Sequence, residues 1–132
     1  MTQPKYSMWG VVQDCEEWLE GVFSVSTAGH GGVLVTPEVA KLLSEAARKR
    51  GAKMQGYLQY EEDCDWAIPV YELPQTWAKA FKWSGLPEIE WGKHLLETLS
   101  AWNADYLVER GVEPLEKQYA YWKENQKLFG RS

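Results

Sequence analysis

Residues 26–32 read Ser26-Thr27-Ala28-Gly29-His30-Gly31-Gly32, set between two apolar runs of β type, Gly21-Val22-Phe23-Ser24-Val25 and Val33-Leu34-Val35. Imidazole is the side chain most easily poised to give and take protons near neutral pH. Gly29, Gly31 and Gly32 leave His30 accessible and let the backbone take positive φ angles or approach another group closely. The same composition also makes an ordinary hairpin, with a histidine that only bonds its own loop.

The second stretch is Glu61-Glu62-Asp63-Cys64-Asp65-Trp66, with four carboxylates in five residues. Charges packed so closely repel, so they need a cation, a basic partner, open solvent or protonation. In an extended segment, Leu58, Tyr60, Glu62, Cys64 and Trp66 share one face, and Glu61, Asp63 and Asp65 the other. Glu62 then lies among apolar neighbours, where a carboxylate is costly unless paired. Cys64 is badly placed as a nucleophile unless His30 joins it, because neighbouring negative charge disfavours the thiolate. His30 with Glu62 or Asp63 is a conceivable acid–base pair, but the spacing matches no zinc or calcium pattern, so no metal is assigned. His94, Lys93 and Glu97 read as ordinary helix surface. No phosphate-binding loop, nucleotide fingerprint or Ser-His-Asp order is visible, and no cofactor is implied.

The elements that hold these stretches begin with Tyr6–Gln13, aromatic and β-branched, read as a first strand. Asp14–Glu17 reads as a polar turn, residues 18–26 as a second strand and Val33–Val35 as a third. The connections are too short for crossovers, so the pairing is antiparallel. Thr36-Pro37-Glu38 is a strong helix start, and Val39, Leu42, Leu43 and Ala46 carry the helix on to Gly51. Arg48-Lys49-Arg50 sits where positive charge meets the negative end of that helix. Residues 53–60 read as one further strand. Pro69 makes Ala67–Tyr71 an edge strand or an irregular segment.

After Leu73 the pattern turns helical, with a short helix from Pro74 to Lys82 and a break at Gly85-Leu86-Pro87. A long helix over 88–110 carries Leu95, Leu99, Trp102 and Tyr106 at spacings of four, three and four. A last helix over 114–129 carries Leu115, Tyr119 and Trp122. The class is α+β: a small antiparallel sheet from the N-terminal half packed with helices, and a helical C-terminal half.

One domain is expected for 132 residues, with a motif-bearing part over 7–82 and a helical pair over 87–130. The net charge of −5 argues against direct binding to nucleic acid, and an acidic protein is suited to a basic surface on another protein. Eight tryptophans exceed what a core of this size needs, so some are expected to be partly exposed. No run is long and apolar enough to span a bilayer, the start has no signal core, and Cys15 and Cys64 are expected as reduced thiols in the cytoplasm.

The two stretches together, Ser-Thr-x-Gly-His-Gly-Gly at 26–32 and Tyr-Glu-Glu-Asp-Cys-x-Trp at 60–66, resemble a small uncharacterised domain found in proteins of bacteriophages, plasmids and other mobile elements. Ala28 stands where that pattern usually has proline, and Leu73-Pro74 where it has Phe-Pro. The likeness covers roughly residues 7–82 and implies a genomic setting more than a reaction. With small size, acidity and surplus aromatics, it favours an accessory protein that binds and inhibits a host defence complex such as CRISPR–Cas, one that handles nucleic acid. Gly29, Gly31, Gly32, Glu61, Asp65 and Trp66 are then the binding residues. The alternative is a small enzyme or ligand-binding domain using His30 with Glu62 or Asp63.

Overall fold

The computed structural model describes residues 3–129, apart from the side chains of 125 and 127–129. It is an α+β fold and divides into two compact units at the predicted glycine–proline break, one ending at Gly85 and one starting at Leu86.

The first unit is built on a five-stranded antiparallel sheet. Its strands are β3 (Asp14–Leu19), β4 (Val22–Ser26), β5 (Gly31–Val35), β6 (Ala52–Met54) and β7 (Tyr57–Glu61), in the spatial order β3-β4-β5-β7-β6. Residues 6–13 are not one strand but a separate two-stranded hairpin, β1 (Tyr6–Ser7) and β2 (Gly10–Val11), turned at Met8-Trp9. Nor is Asp14–Glu17 a turn. It pairs with β4 from Asp14↔Ser26 to Glu17↔Phe23, so acidic residues fill an edge strand where one side faces solvent. The predicted strand over 53–60 is a hairpin, reversed at Gln55 (φ 54) and Gly56 (φ 80), two consecutive left-handed residues as a tight hairpin turn requires.

Pairs across strands share a face, so the register sorts the core. Phe23, Val25 and Leu34 form one buried cluster, covered by Trp9, Val12, Cys15 and Tyr57. On the other face Val33 lies opposite Tyr60 and Val35 opposite Leu58, and the Tyr60 hydroxyl donates to the Ala47 carbonyl at 2.7 Å. β5 is buried along its whole length, which explains why an apolar run of only three residues marks the centre of the sheet.

The helix expected from Thr36 to Gly51 is two short ones, α1 (Pro37–Ala40) and α2 (Glu45–Arg48). Thr36 caps the first as expected. Ser44 starts the second, accepting from Ala47 N at 3.1 Å, while its own N–H and hydroxyl donate to the Glu72 carboxylate at 2.7 and 2.6 Å. That break turns Leu42 out to 72 % exposure, although Val39, Leu43 and Ala46 are buried. Arg48 and Arg50 donate to the carbonyls of Leu43 and Ala46, so the basic cluster finishes a helix end.

Ala67–Glu72 is α3, a buried helix and not an edge strand. Pro69 is its third residue, where an amide has no intrahelical acceptor, so the missing N–H costs nothing. A 3-10 turn (Pro74–Thr76) then leads into α4 (Trp77–Ala80).

The second unit holds a 3-10 turn (Glu88–Glu90), α5 (Trp91–Trp102), α6 (Ala104–Glu109) and α7 (Glu116–Phe129). The long helix expected over 88–110 breaks at Asn103 (φ −142°, ψ 44°). Leu95, Leu99 and Tyr106 of its stripe are nonetheless fully buried, and α5 packs on α6 and α7. Trp102 meets Tyr121 edge-on at 5.8 Å, and Tyr119 stacks on Trp122 at 5.7 Å. Among the described residues no helix is long and apolar enough to cross a membrane.

Candidate functional site

The glycine–histidine loop and the acidic stretch meet because β5 pairs with β7. Gly32 lies opposite Glu61, and the Glu62 N–H donates to the Gly31 carbonyl at 3.0 Å. The loop is closed from within by Thr27, whose N–H and hydroxyl both donate to the His30 carbonyl at 2.7 Å, while the His30 N–H donates to the Thr27 hydroxyl at 3.1 Å. The backbone of His30 is therefore fixed and its ring projects into solvent.

Gly29, Gly31 and Gly32 all lack positive φ, so none serves a left-handed backbone, and Gly31 and Gly32 serve close approach. A Cβ on Gly31 would sit 2.5 Å from the Val25 carbonyl oxygen and 3.0 Å from Glu62 Oε2. A Cβ on Gly32 would strike the Tyr60 carbonyl and the Trp9 ring. Gly29 has open space around it.

The acidic stretch does not run on as a strand. β7 stops at Glu61, and the chain coils as Asp65 and Trp66 both donate to the Glu61 carbonyl, at 3.0 and 2.8 Å. The two-faced alternation expected for 58–66 ends there, and the carboxylates separate into two environments.

In the first, His30 Nδ1 stands 3.9 Å from Glu61 Oε1, and donor atoms of His30, Glu61 and Asp63 all lie within 4.8 Å of one another. His30 is 53 % exposed and Glu61 39 %, and their contact is an ion pair only when the imidazole is protonated. The Cys64 thiol leans on the other Glu61 oxygen at 4.0 Å. Cys15 and Cys64 are not joined in a disulfide. Burial pushes the Cys15 thiol up from its ordinary value, with Glu17 adding to the effect.

In the second, Glu62 lines a cleft of about 260 Å³ with Trp18, Ser24, Val33, Trp66 and Ala80. Of the apolar neighbours expected for Glu62 only Trp66 is among them, and the side chain stays exposed to water. The Glu62 carboxylate has no ion pair or side-chain hydrogen bond among the described residues. Both indoles are braced. Trp18 Nε1 donates to Glu16 at 2.7 Å, Glu16 is ion-paired to Lys82, and Trp66 meets Phe81 edge-on at 6.3 Å. The Lys82 hydrogen bond, helped by Trp18, holds the Glu16 carboxyl below the usual carboxylate value. Asp65, expected among the binding residues, is half-buried in the turn after β7 and does not line this cleft.

The structure thus joins His30 to Glu61 and Asp63 but sends Glu62 elsewhere. Trp18 and its Glu16–Lys82 brace were missed in the sequence, where residues 14–17 read as a turn. The surplus of tryptophan was the signal, and it has a simple outcome: no tryptophan belongs to the buried core, and Trp83 is 88 % exposed.

Fold and site together define a small α+β domain with a solvent-open histidine–carboxylate group beside an indole-walled cleft. The chain matches, over residues 2–130, the model of the family described as a domain of unknown function, DUF7007, and it belongs to that family. The match takes in both units. No curated protein and no solved structure matches it.

Proposed function

We propose that this chain is an accessory protein of a phage or other mobile element that acts in the host cytoplasm by binding and inhibiting a defence complex, in the manner of an anti-CRISPR. The observation that carries this reading is the Glu62 carboxylate, without a side-chain partner among the described residues, lining one cleft with the braced indoles of Trp18 and Trp66. A carboxylate beside aromatic faces suits a cation, which gains both a charge-assisted hydrogen bond and a cation–π contact. A cleft of about 260 Å³ is small for a cofactor and suits one inserted side chain. Arginine fits best, since its planar guanidinium stacks and pairs at once, and surfaces that grip nucleic acid are rich in it. A net charge of −5 adds long-range attraction to such a surface.

Catalysis finds less support. The His30 ring is open to water, whereas acid–base chemistry gains from a dry, enclosed site. The enzyme reading, with His30 and Asp63 as the pair, keeps one favourable observation, their closeness in space.

The test is transformation of CRISPR-bearing cells by a targeted plasmid, with the protein supplied in trans. Wild type should restore transformation, Glu62→Gln and Trp66→Ala should lose the effect, and His30→Ala should retain it. Loss in His30→Ala alone would favour the enzyme. No protection by wild type against any system, and no partner for the purified protein, would end the inhibitor reading.

A further inference from the structure

We propose that His30, Glu61 and Asp63 form a binding site for a divalent transition-metal ion, with zinc as its natural test ion. The three residues come from two segments that the β5–β7 pairing brings side by side, and their donor atoms already lie within 4.8 Å of one another. Donors bound to one such ion stand about 3–3.5 Å apart, given bond lengths of about 2.0–2.2 Å. The 3.9 Å between His30 Nδ1 and Glu61 Oε1 exceeds that spacing by less than about 1 Å, within reach of a side-chain rotation. The backbone is already set: Thr27 locks His30, β7 fixes Glu61, and the turn bonds from Asp65 and Trp66 shape the chain around Asp63.

The donor chemistry selects the ion. One imidazole nitrogen with two carboxylate oxygens suits zinc or manganese, whereas calcium and magnesium prefer oxygen alone. Two carboxylates and a neutral imidazole leave the bound ion neutral overall, which relieves the repulsion between Glu61 and Asp63. Three protein ligands leave at least one position for water or for a partner's donor group. The site is separate from the Glu62 cleft, so it stands or falls independently of the inhibitor reading.

The experiment is calorimetric titration of the tag-free protein with zinc chloride, then with manganese, magnesium and calcium salts. Wild type should bind one zinc with saturation, magnesium and calcium more weakly, and acidification should weaken zinc because protons compete for the imidazole. His30→Ala and Asp63→Asn should each weaken zinc by roughly tenfold or more. His94→Ala, which alters the only other histidine, should not. Cobalt in place of zinc should give a visible absorption band in wild type that His30→Ala lacks. Circular dichroism and thermal melting of the metal-free variants establish that they are folded. Absence of saturable binding, or zinc affinity unchanged in both folded variants, overturns the site.

Discussion

The ring of Trp9 lies so close to Gly32 that a Cβ at Gly32 would stand 2.5 Å from Trp9 Cη2. A residue of the N-terminal hairpin thus seals the sheet at the very pair, Gly32↔Glu61, that joins the histidine loop to the acidic stretch. Gly32→Ala should cost about 1–3 kcal/mol through overpacking. Gly29→Ala, with open space around it and no positive φ, should be neutral or gain up to about 1 kcal/mol by restricting the unfolded chain. Urea midpoints for the two variants separate these outcomes; equal midpoints would mean that both the Tyr60 carbonyl and the Trp9 ring give way at little cost.

Tyr60 is fully buried and donates to Ala47. Burial first, then the carboxylates of Glu72 and Asp65, pushes its phenol well above the ordinary tyrosine value. Tyr60→Phe should cost about 1 kcal/mol, since the Ala47 carbonyl loses the short hydroxyl bond and keeps the Arg50 N–H at 3.2 Å. In an alkaline titration followed by ultraviolet absorbance, a late-ionising step should be present in wild type and missing from the variant.

Leu99 is fully buried on α5, among helices of the second unit. Leu99→Ala should destabilise by about 2–5 kcal/mol, transfer and cavity effects adding together. A thermal midpoint that does not move would recast the Leu95–Leu99–Tyr106 stripe as a surface for a partner.

The Glu16–Lys82 pair gives stability a pH dependence of definite sign. The folded carboxyl lies below its unfolded value, so the pair's contribution is present above the unfolded value and is lost as pH falls through the folded one. Both side chains are more than a third exposed, which keeps the effect below about 1 kcal/mol. Lys82→Met should therefore be less stable than wild type near neutral pH and indistinguishable from it in strong acid. A gap that persists at low pH would assign the loss to packing of the lysine stem.

If Glu62 receives a partner's arginine, association should slow as salt rises, and Glu62→Gln should slow it further with a shallower salt dependence. The fold should be unaffected, because the side chain is exposed and has no side-chain partner among the described residues. Rates measured against ionic strength decide this. Identical profiles for wild type and variant would leave binding to the exposed aromatics, Trp83 foremost.

Local pattern was enough to read the class of fold, the antiparallel pairing around 22–35, the Thr36 cap, the Arg48–Arg50 helix end and the inward faces of Leu95, Leu99 and Tyr106. Each depends on side-chain chemistry within a few residues, so the sequence by itself determined it. The meeting of His30 with the acidic stretch was also legible, from two motifs occurring together. Long-range contacts decided the rest. Ser44 broke a helix because Glu72, twenty-eight positions away, accepts its two donors. Pro69 sits in a helix because the first turn has no use for its amide. Asp14–Leu19 is a strand because β4 offers it an edge, and propensity is weaker than that ladder. Above all, only the tertiary structure could divide one run of carboxylates in two: β7 ends at Glu61, the coil that follows carries Glu62 into an indole cleft, and Asp63 returns to His30.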